Sequence, residues 1–353
     1  MVKPEFWSKR RVLLTGNTGF KGAWMAALLV ELGADVTAVA LQPEREPNLW
    51  KMFAGRVKVK ENIGDLRDAT HLAEICRTAQ PEIVLHLAAQ VQVRRGYLDP
   101  TETYSTNIMG TVNLLEAVRP LQTLQAMVIV TSDKVYFNQS DARVFCETDR
   151  LGGSEPYSAS KAAIELVVQS HIDCFYAPRQ IPVATARAGN VVGGGDFSTD
   201  RLVPDLYRSA SLKQPVVLRY PNAQRSWFHV LDAIAGYLQY AEFIHGSSVA
   251  DPPSLNFGPL EGAALSVSEV AEIVGARLGI TTPWQQGDVG ELAEKMSLYL
   301  DCRLASKTLG GSPRLTMMDT MAWTADWYAE FVNGADPFEL VSSQIRRYLQ
   351  AAS

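Results

Sequence analysis

The segment Gly16-Asn17-Thr18-Gly19-Phe20-Lys21-Gly22 restricts what this chain can fold into more than any other stretch. It falls directly between an apolar run, Arg11-Val12-Leu13-Leu14-Thr15, and an Ala-, Leu- and Met-rich stretch from Gly22 to Leu32 that Gly33 closes. A short apolar run cut off by glycine reads as a buried parallel strand, and the stretch after it as a helix. Glycines at this spacing let backbone approach a pyrophosphate, and the helix N-terminus offers N–H donors and partial positive charge. The spacing alone is weak; its place after the first strand gives it force. Gly16, Thr18, Gly19, Phe20, Lys21 and Gly22 are therefore candidate cofactor-binding residues.

Strand-like segments recur at 35–41, 57–63, 82–87, 126–131, 182–187 and 254–258, with helix-like stretches at 68–78, 102–118 and 158–174 between them. Parallel strands need crossover helices, so this alternation predicts an α/β fold, a doubly wound parallel sheet of Rossmann type. After Gly189 the sequence becomes denser in glycine, proline and arginine. The expected division is a dinucleotide-binding domain over 1–189 and about 230–258. A smaller interleaved C-terminal substrate lobe would occupy about 190–229 and 259–353.

With 33 basic and 38 acidic side chains the chain carries a net charge of −5, which argues against a nucleic-acid partner. There is no run of about 18 apolar residues, so no membrane span is expected. Cys76, Cys146, Cys174 and Cys302 are scattered, which points to neither a metal site nor a disulfide framework. The N-terminus lacks the apolar core of a signal peptide. A reduced, cytoplasmic protein is the expectation.

The acidic residue that would grip a ribose hydroxyl at the end of the second strand is missing: the sequence there is Ala40-Leu41-Gln42-Pro43-Glu44-Arg45. Gln42 can hydrogen-bond a ribose and Arg45 can tolerate a 2′-phosphate, so this loop does not choose between NAD and NADP. Asp65, before Leu66, is a candidate acceptor for an adenine amino group, and a surface turn is an equal reading. Tyr157 and Lys161 are four residues apart and share one helix face. A nearby ammonium lowers a phenol pKa, and a phenol so tuned can act as a base on a sugar hydroxyl. Ser132, Asp133 and Lys134 follow the fifth strand, and loops at the carboxyl ends of parallel strands are where open α/β sheets place ligands.

Further strings join these: His86-Leu87-Ala88-Ala89-Gln90, Tyr104 to Thr111, Thr131-Ser132-Asp133-Lys134, and Arg187 to Asp196 with its Gly193-Gly194-Gly195-Asp196. On them the chain resembles, over nearly its whole length, the extended short-chain dehydrogenase/reductases that act on nucleotide sugars. Within these it is similar to the 4,6-dehydratases. Asp133-Lys134 stands where the dTDP-sugar members carry Asp-Glu, which favours the CDP-sugar branch.

The resemblance implies NAD as cofactor, CDP-glucose as substrate, a hydro-lyase reaction in deoxysugar synthesis, and a homodimer. Tyr157 would take the 4-hydroxyl proton as hydride leaves carbon 4, with Lys161 holding the nicotinamide ribose and Ser132 hydrogen-bonding the same hydroxyl. Asp133 would protonate the departing 6-hydroxyl. Lys134 holds the place of the carbon-5 base, either as a neutral base or as a charged partner of the enolate. Leu87, Ala88, Gln90 and Asn107 would line the cofactor path. Arg94, Asn190, Arg201, Arg219 and Arg225 would meet the diphosphate and base, while His229 reads as a packed, hydrogen-bonded side chain. Two departures lie near this site: Val135-Tyr136-Phe137-Asn138 and Val91-Gln92-Val93-Arg94. The alternatives are a nucleotide-sugar 4-epimerase and a non-catalytic dinucleotide sensor. Asp133-Lys134 counts against the first, and the intact Tyr157–Lys161 pair against the second.

Overall fold

The apolar runs form seven strands: β1 (Arg11–Thr15), β2 (Asp35–Ala40), β3 (Lys60–Ile63), β4 (Ile83–His86), β5 (Ala126–Val130), β6 (Val183–Ala188) and β7 (Leu255–Phe257). They make one parallel sheet in the order β7-β6-β5-β4-β1-β2-β3. The computed structural model describes residues 1–138, 143–245, 252–259, 264–288, 298–311 and 313–350. The strand order reverses at β1, and the crevice beside that switch is where the glycine loop emerges.

Alternate side chains of each strand serve opposite layers. Leu14, Val128 and Ala184 pack under α1 (Phe20–Glu31) and, further along the chain, Val230–His245. Leu13, Met127 and Val183 pack on the other face, under Ala69–Ala79, Gly110–Val118 and Pro156–His171. Both faces are covered, which is why these strands read as continuous apolar runs. The doubly wound sheet expected from the alternation is what forms.

Three boundaries differ for physical reasons. The third strand is shorter than 57–63 because β3 is the sheet edge; Val57 turns into the core beside it instead. The stretch 102–118 is not one α-helix. It runs as Pro100–Tyr104, a π-turn Ser105–Met109 in which the Gly110 N–H reaches the Ser105 carbonyl, and Gly110–Val118. Within it Thr111 Oγ1 donates back to the Asn107 carbonyl at 2.6 Å. The third helix starts at Pro156, where the Glu155 side chain accepts from the Tyr157 and Ser158 N–H groups, and continues past His171 as a second π-turn, Ile172–Tyr176.

Several segments after Gly189 pair with one another, while Tyr299–Leu300 pairs with Val144–Phe145. Val216–Leu218 lies parallel to Trp284–Gln286, and Gln224–Arg225 antiparallel to Leu265–Ser266. The Gly193–Asp196 string is a close-packing element. A Cβ at Gly194 would lie 2.0 Å from the Trp327 ring, and the Gly194 carbonyl accepts from Trp24 Nε1 at 2.9 Å. Helix Met317–Val332 begins with a reciprocal Thr316–Asp319 cap, and Pro337–Gln350 packs back on α1.

Candidate active site

The glycine loop is built for a ligand's close approach. Gly16 has φ +84°, a conformation that disfavours any side chain, and a Cβ on Gly22 would lie 2.0 Å from the Gly16 carbonyl oxygen. The first turn of α1 is thereby drawn against the loop, and its free N–H groups face the crevice. Beside it the buried Asn17 Oδ1 has no partner among the described residues. The cradle fits a dinucleotide whose diphosphate caps the helix. Thr18 Oγ1 donates to the Leu41 carbonyl at 3.0 Å, holding the loop after β2 against it. The Leu87 and Ala88 N–H groups both donate to Thr15 Oγ1 at 3.1 Å, so the loop after β4 is pinned to the end of β1.

Gln90 and Asn107 form one unit. Asn107 Oδ1 accepts from the Gln90 N–H at 2.7 Å, and its Nδ2 donates to the Gln90 carbonyl and to Ser160 Oγ. Ser160 Oγ in turn donates to the Tyr157 carbonyl at 2.7 Å. The π-turn thus presents an amide that joins the cofactor-side loop to the helix carrying Tyr157. At the outer end Asp65 is paired with Arg67, Nη2 to Oδ2 2.5 Å, which holds its carboxyl below the usual range. Asn113 Nδ2 donates to the Leu66 carbonyl at 2.8 Å. Arg45 donates to Thr199 Oγ1 at 3.1 Å.

Ser132, Asp133 and Lys134 form a tight turn directly past β5. Ser132 Oγ caps it by accepting from the Lys134 N–H at 3.2 Å, and the same hydroxyl lies 2.9 Å from Asp133 Oδ1. Asp133 is seated against a glycine: a Cβ at Gly189 would lie 1.9 Å from its Oδ2. Tyr157 is buried nearby, where Ser132 and Asp133 act on its phenol, and Lys134 Nζ stands 5.8 Å from the Tyr157 ring centroid. Lys161 Nζ donates to the Val130 carbonyl at 3.3 Å.

Burial pushes the Tyr157 phenol up to about 12, opposed by the Ser132 hydrogen bond. Burial lowers Lys161 to about 7, with the Lys21 ammonium adding to the effect. Lys21 itself is lowered to about 8 by burial and by Arg201, while Asp133 works the other way.

A cavity of about 310 Å³ borders Asp133, with Asn190, Ser226, Phe257, Tyr299 and Cys302 along it. Of the five side chains expected at the substrate, Asn190 lines it and Arg201 lies close enough to act on Lys21 and Tyr157. Arg201 also pairs with Asp196 at 3.2 Å. Arg94 is paired with Asp200 at 2.8 Å, outside that cavity. Arg225 sits on its two-residue strand with Nη1 on the Gln224 carbonyl, and Arg219 follows Val216–Leu218; neither borders the cavity. His229 is buried and neutral, its Nδ1 accepting from the Leu231 N–H at 3.2 Å.

Sequence reasoning missed Gly189 as the seat of Asp133, and missed Lys21 as a charge facing both Asp133 and Lys161. The glycine after Arg187-Ala188 was visible as a string, but which side chain it faces is not written in the string.

A family model described as "NAD dependent epimerase/dehydratase family" matches residues 12–250. The chain is 36% identical, over the whole length of both proteins, to a protein of Salmonella typhimurium named CDP-glucose 4,6-dehydratase. It is 26% identical to a dTDP-glucose 4,6-dehydratase of Xanthomonas campestris pv. campestris, over 90% of this chain and 92% of that one. Among solved structures, a UDP-glucose-4-epimerase of Stenotrophomonas maltophila with bound NAD superposes with a TM-score of 0.80 at 23% identity, covering 92% of this chain and 100% of that one. That last likeness shows the fold alone.

Proposed function

The chain belongs to the NAD-dependent epimerase/dehydratase family, its cofactor is therefore NAD, and we propose that it dehydrates CDP-glucose to CDP-4-keto-6-deoxyglucose as a hydro-lyase. One observation carries this beyond the family level: a second proton-transfer group, Asp133, is seated next to Tyr157 at a cavity wide enough for a sugar. A 4-epimerase needs acid–base work at one carbon; loss of water needs it at carbons 4, 5 and 6. The full-length likeness to a protein named CDP-glucose 4,6-dehydratase supports the nucleotide.

When bound, NAD supplies the acceptor for hydride from carbon 4 and its donor to carbon 6. The protein does the rest. Tyr157 takes the 4-hydroxyl proton, and Ser132 orients that hydroxyl from the turn. Lys161, charged once an anion lies beside it, holds the phenolate form within reach. The ketone at carbon 4 makes the carbon-5 proton acidic, and Asp133 protonates the 6-hydroxyl so that it leaves as water. Lys134, beside the Tyr157 ring, either removes the carbon-5 proton or stabilises the enolate. Asn190 and Arg201 meet the diphosphate side, and Arg94, Arg219 and Arg225 stand further out. Exposed Tyr104, Met109 and Leu166 on the helices of 100–118 and 156–171 support a homodimer through those helices.

The test is incubation of the protein with CDP-glucose and catalytic NAD, read by mass spectrometry beside dTDP-, UDP- and GDP-glucose. Loss of the mass of one water from CDP-glucose, at a rate at least about tenfold above the others, is expected, the discrimination that arises when a site's buried polar groups go unmatched. Water loss from none of them overturns the reading and favours the epimerase.

Lys134 has its own outcome. Lys134→Met is expected to slow both turnover and solvent exchange of the carbon-5 proton about a hundredfold, the scale of a lost general base or charged stabiliser. Wild-type exchange in deuterated solvent would remove Lys134 from the mechanism.

A further inference from the structure

The helix that carries Tyr157 and Lys161 also carries a buried carboxylate, Glu165, for which the mechanism has no use. The three stand at successive turns of one face. The face meets three consecutive residues at the end of β5. Tyr157 lies where Ser132 acts on its phenol, Lys161 Nζ reaches the Val130 carbonyl, and Glu165 Oε1 accepts from Thr131 Oγ1 at 2.5 Å. The other carboxylate oxygen gathers the neighbouring strand. It accepts from Thr185 Oγ1 at 2.7 Å and from Arg187 Nη2 at 2.7 Å, and Ser254 Oγ, just before β7, lies 3.3 Å away. Arg187 continues the network, its Nη1 donating to the Tyr136 hydroxyl and to the Glu147 carbonyl, both at 3.0 Å. Two residues past Arg187 is Gly189, the seat of Asp133.

A buried ion pair is a poor way to gain stability, because apolar side chains of the same volume serve as well or better. The Glu165–Arg187 pair, with its side chains 3% and 5% exposed, is nonetheless kept at the one place where β5, β6, the start of β7 and the Tyr157 helix converge. What an ion pair with hydrogen bonds on both carboxylate oxygens supplies is direction.

We propose that Glu165 is a positioning residue that locks the Ser132–Asp133 turn, through Thr131, to the helix carrying Tyr157 and Lys161, and so sets proton-transfer geometry at the Tyr157 hydroxyl. Loosening this lock withdraws Ser132 from the phenol. The groups facing Tyr157 are Ser132, Asp133 and Lys134 from the turn, Glu155 and Lys161 from its own helix and cap, Arg201 from the lobe and Tyr237 from the helix beneath. Of these, Ser132, Asp133 and Lys134 all follow Thr131 on the turn; Ser132 lowers the phenol pKa and Asp133 raises it, so a displaced turn shifts the titration of the phenol.

The inference uses the proposed function only for the choice of substrate, and its test reads the carbon-4 oxidation that dehydratases and epimerases share. Thr131→Val keeps the shape and loses the donor; Thr131→Ser keeps the donor; Glu165→Gln breaks the lock at its centre. Single-turnover formation of reduced nicotinamide is followed across pH on the nucleotide sugar that wild type oxidises fastest. In Thr131→Val the rate is expected to fall about ten- to a hundredfold, as for a reacting group displaced by up to an ångström. Its pH profile is expected to move with KM unchanged, and Thr131→Ser to restore both. Glu165→Gln is expected to follow Thr131→Val where it folds. A Thr131→Val rate that falls with an unmoved profile, as from a smaller folded fraction, overturns the proposal, and so does a wild-type rate. A crystal structure of Thr131→Val gives the reading that needs no substrate: a Ser132–Asp133 turn displaced from the Tyr157 phenol is expected, and a turn in its wild-type place overturns the proposal. Should wild type oxidise carbon 4 and release no water, the proposed function fails and this test stands.

Discussion

Tyr157→Phe is expected to lower carbon-4 oxidation about a thousandfold, the middle of the range for loss of a positioned proton acceptor. The measurement is single-turnover absorbance of reduced nicotinamide after mixing with CDP-glucose. The folded fraction is checked by circular dichroism, and dinucleotide affinity by equilibrium dialysis. The size follows from the surroundings of the phenol. It is buried beside the Ser132 turn, and two of the titratable side chains near it are engaged elsewhere. Lys161 is tied to the Val130 carbonyl, and Asp133 is pressed against Gly189. Neither stands ready to replace it. The ring of phenylalanine fills the same space, so dinucleotide affinity should change by less than about tenfold, the loss of one hydrogen bond. A variant within about tenfold of wild-type oxidation would mean that another group takes the proton.

Gly189→Ala is expected to separate the two halves of the reaction. Its added Cβ would lie 1.9 Å from Asp133 Oδ2 and 2.1 Å from Asp133 Cγ, so the carboxyl group must leave its seat. Gly189 is outside the left-handed region, so the substitution brings a collision with Asp133 and no backbone strain. Water loss should fall about a hundredfold or more, since displacement of a general acid by an ångström has effects of that order. Carbon-4 oxidation, which rests on Tyr157, should fall much less, so that reduced nicotinamide builds up and the sugar keeps its full mass. Asp133→Asn should give the same pattern, because its amide cannot deliver the proton to the 6-hydroxyl. Equal loss of both steps in Gly189→Ala, with Asp133→Asn active, would show that Asp133 is not the group that glycine serves.

Most of the fold was legible because the sheet is buried on both faces: runs such as Ala126–Val130 have no polar position to obscure them, and glycine or a candidate catalytic string follows several of them at the carboxyl end. The edge strand Lys60–Ile63 was the least legible, since an edge needs fewer apolar residues. The turn 132–134 and the pair Tyr157–Lys161 were legible as strings, and the structure brings them together past the end of β5, with Asp133 on the cavity. What was not legible is contact between strings. Thr131, Glu165 and Arg187 are far apart in sequence, and only the sheet order places β5 beside β6 so that one carboxylate serves both. Arginines were the weakest evidence for the opposite reason. Arg94 and Arg201 find acidic partners within the protein, so their residue type alone does not tell a ligand contact from a surface pair.

The π-turn at Ser105–Met109 makes length, as well as composition, a constrained quantity in this part of the chain. A π-turn is an α-helix with one residue too many, and each helical residue sweeps about 100° around the axis. Deleting one residue between Ser105 and Met109 would let the two flanking helices merge into a regular one, while turning everything on one side through that angle. Asn107 would then face away from the Gln90 backbone and Ser160 that it now joins. A relative that is one residue shorter here must hold the loop after its fourth strand by other means, and an alignment that places its gap elsewhere would pair the wrong residues across the whole helix. Substitutions at Ile108 or Met109 leave that register intact; insertions and deletions do not.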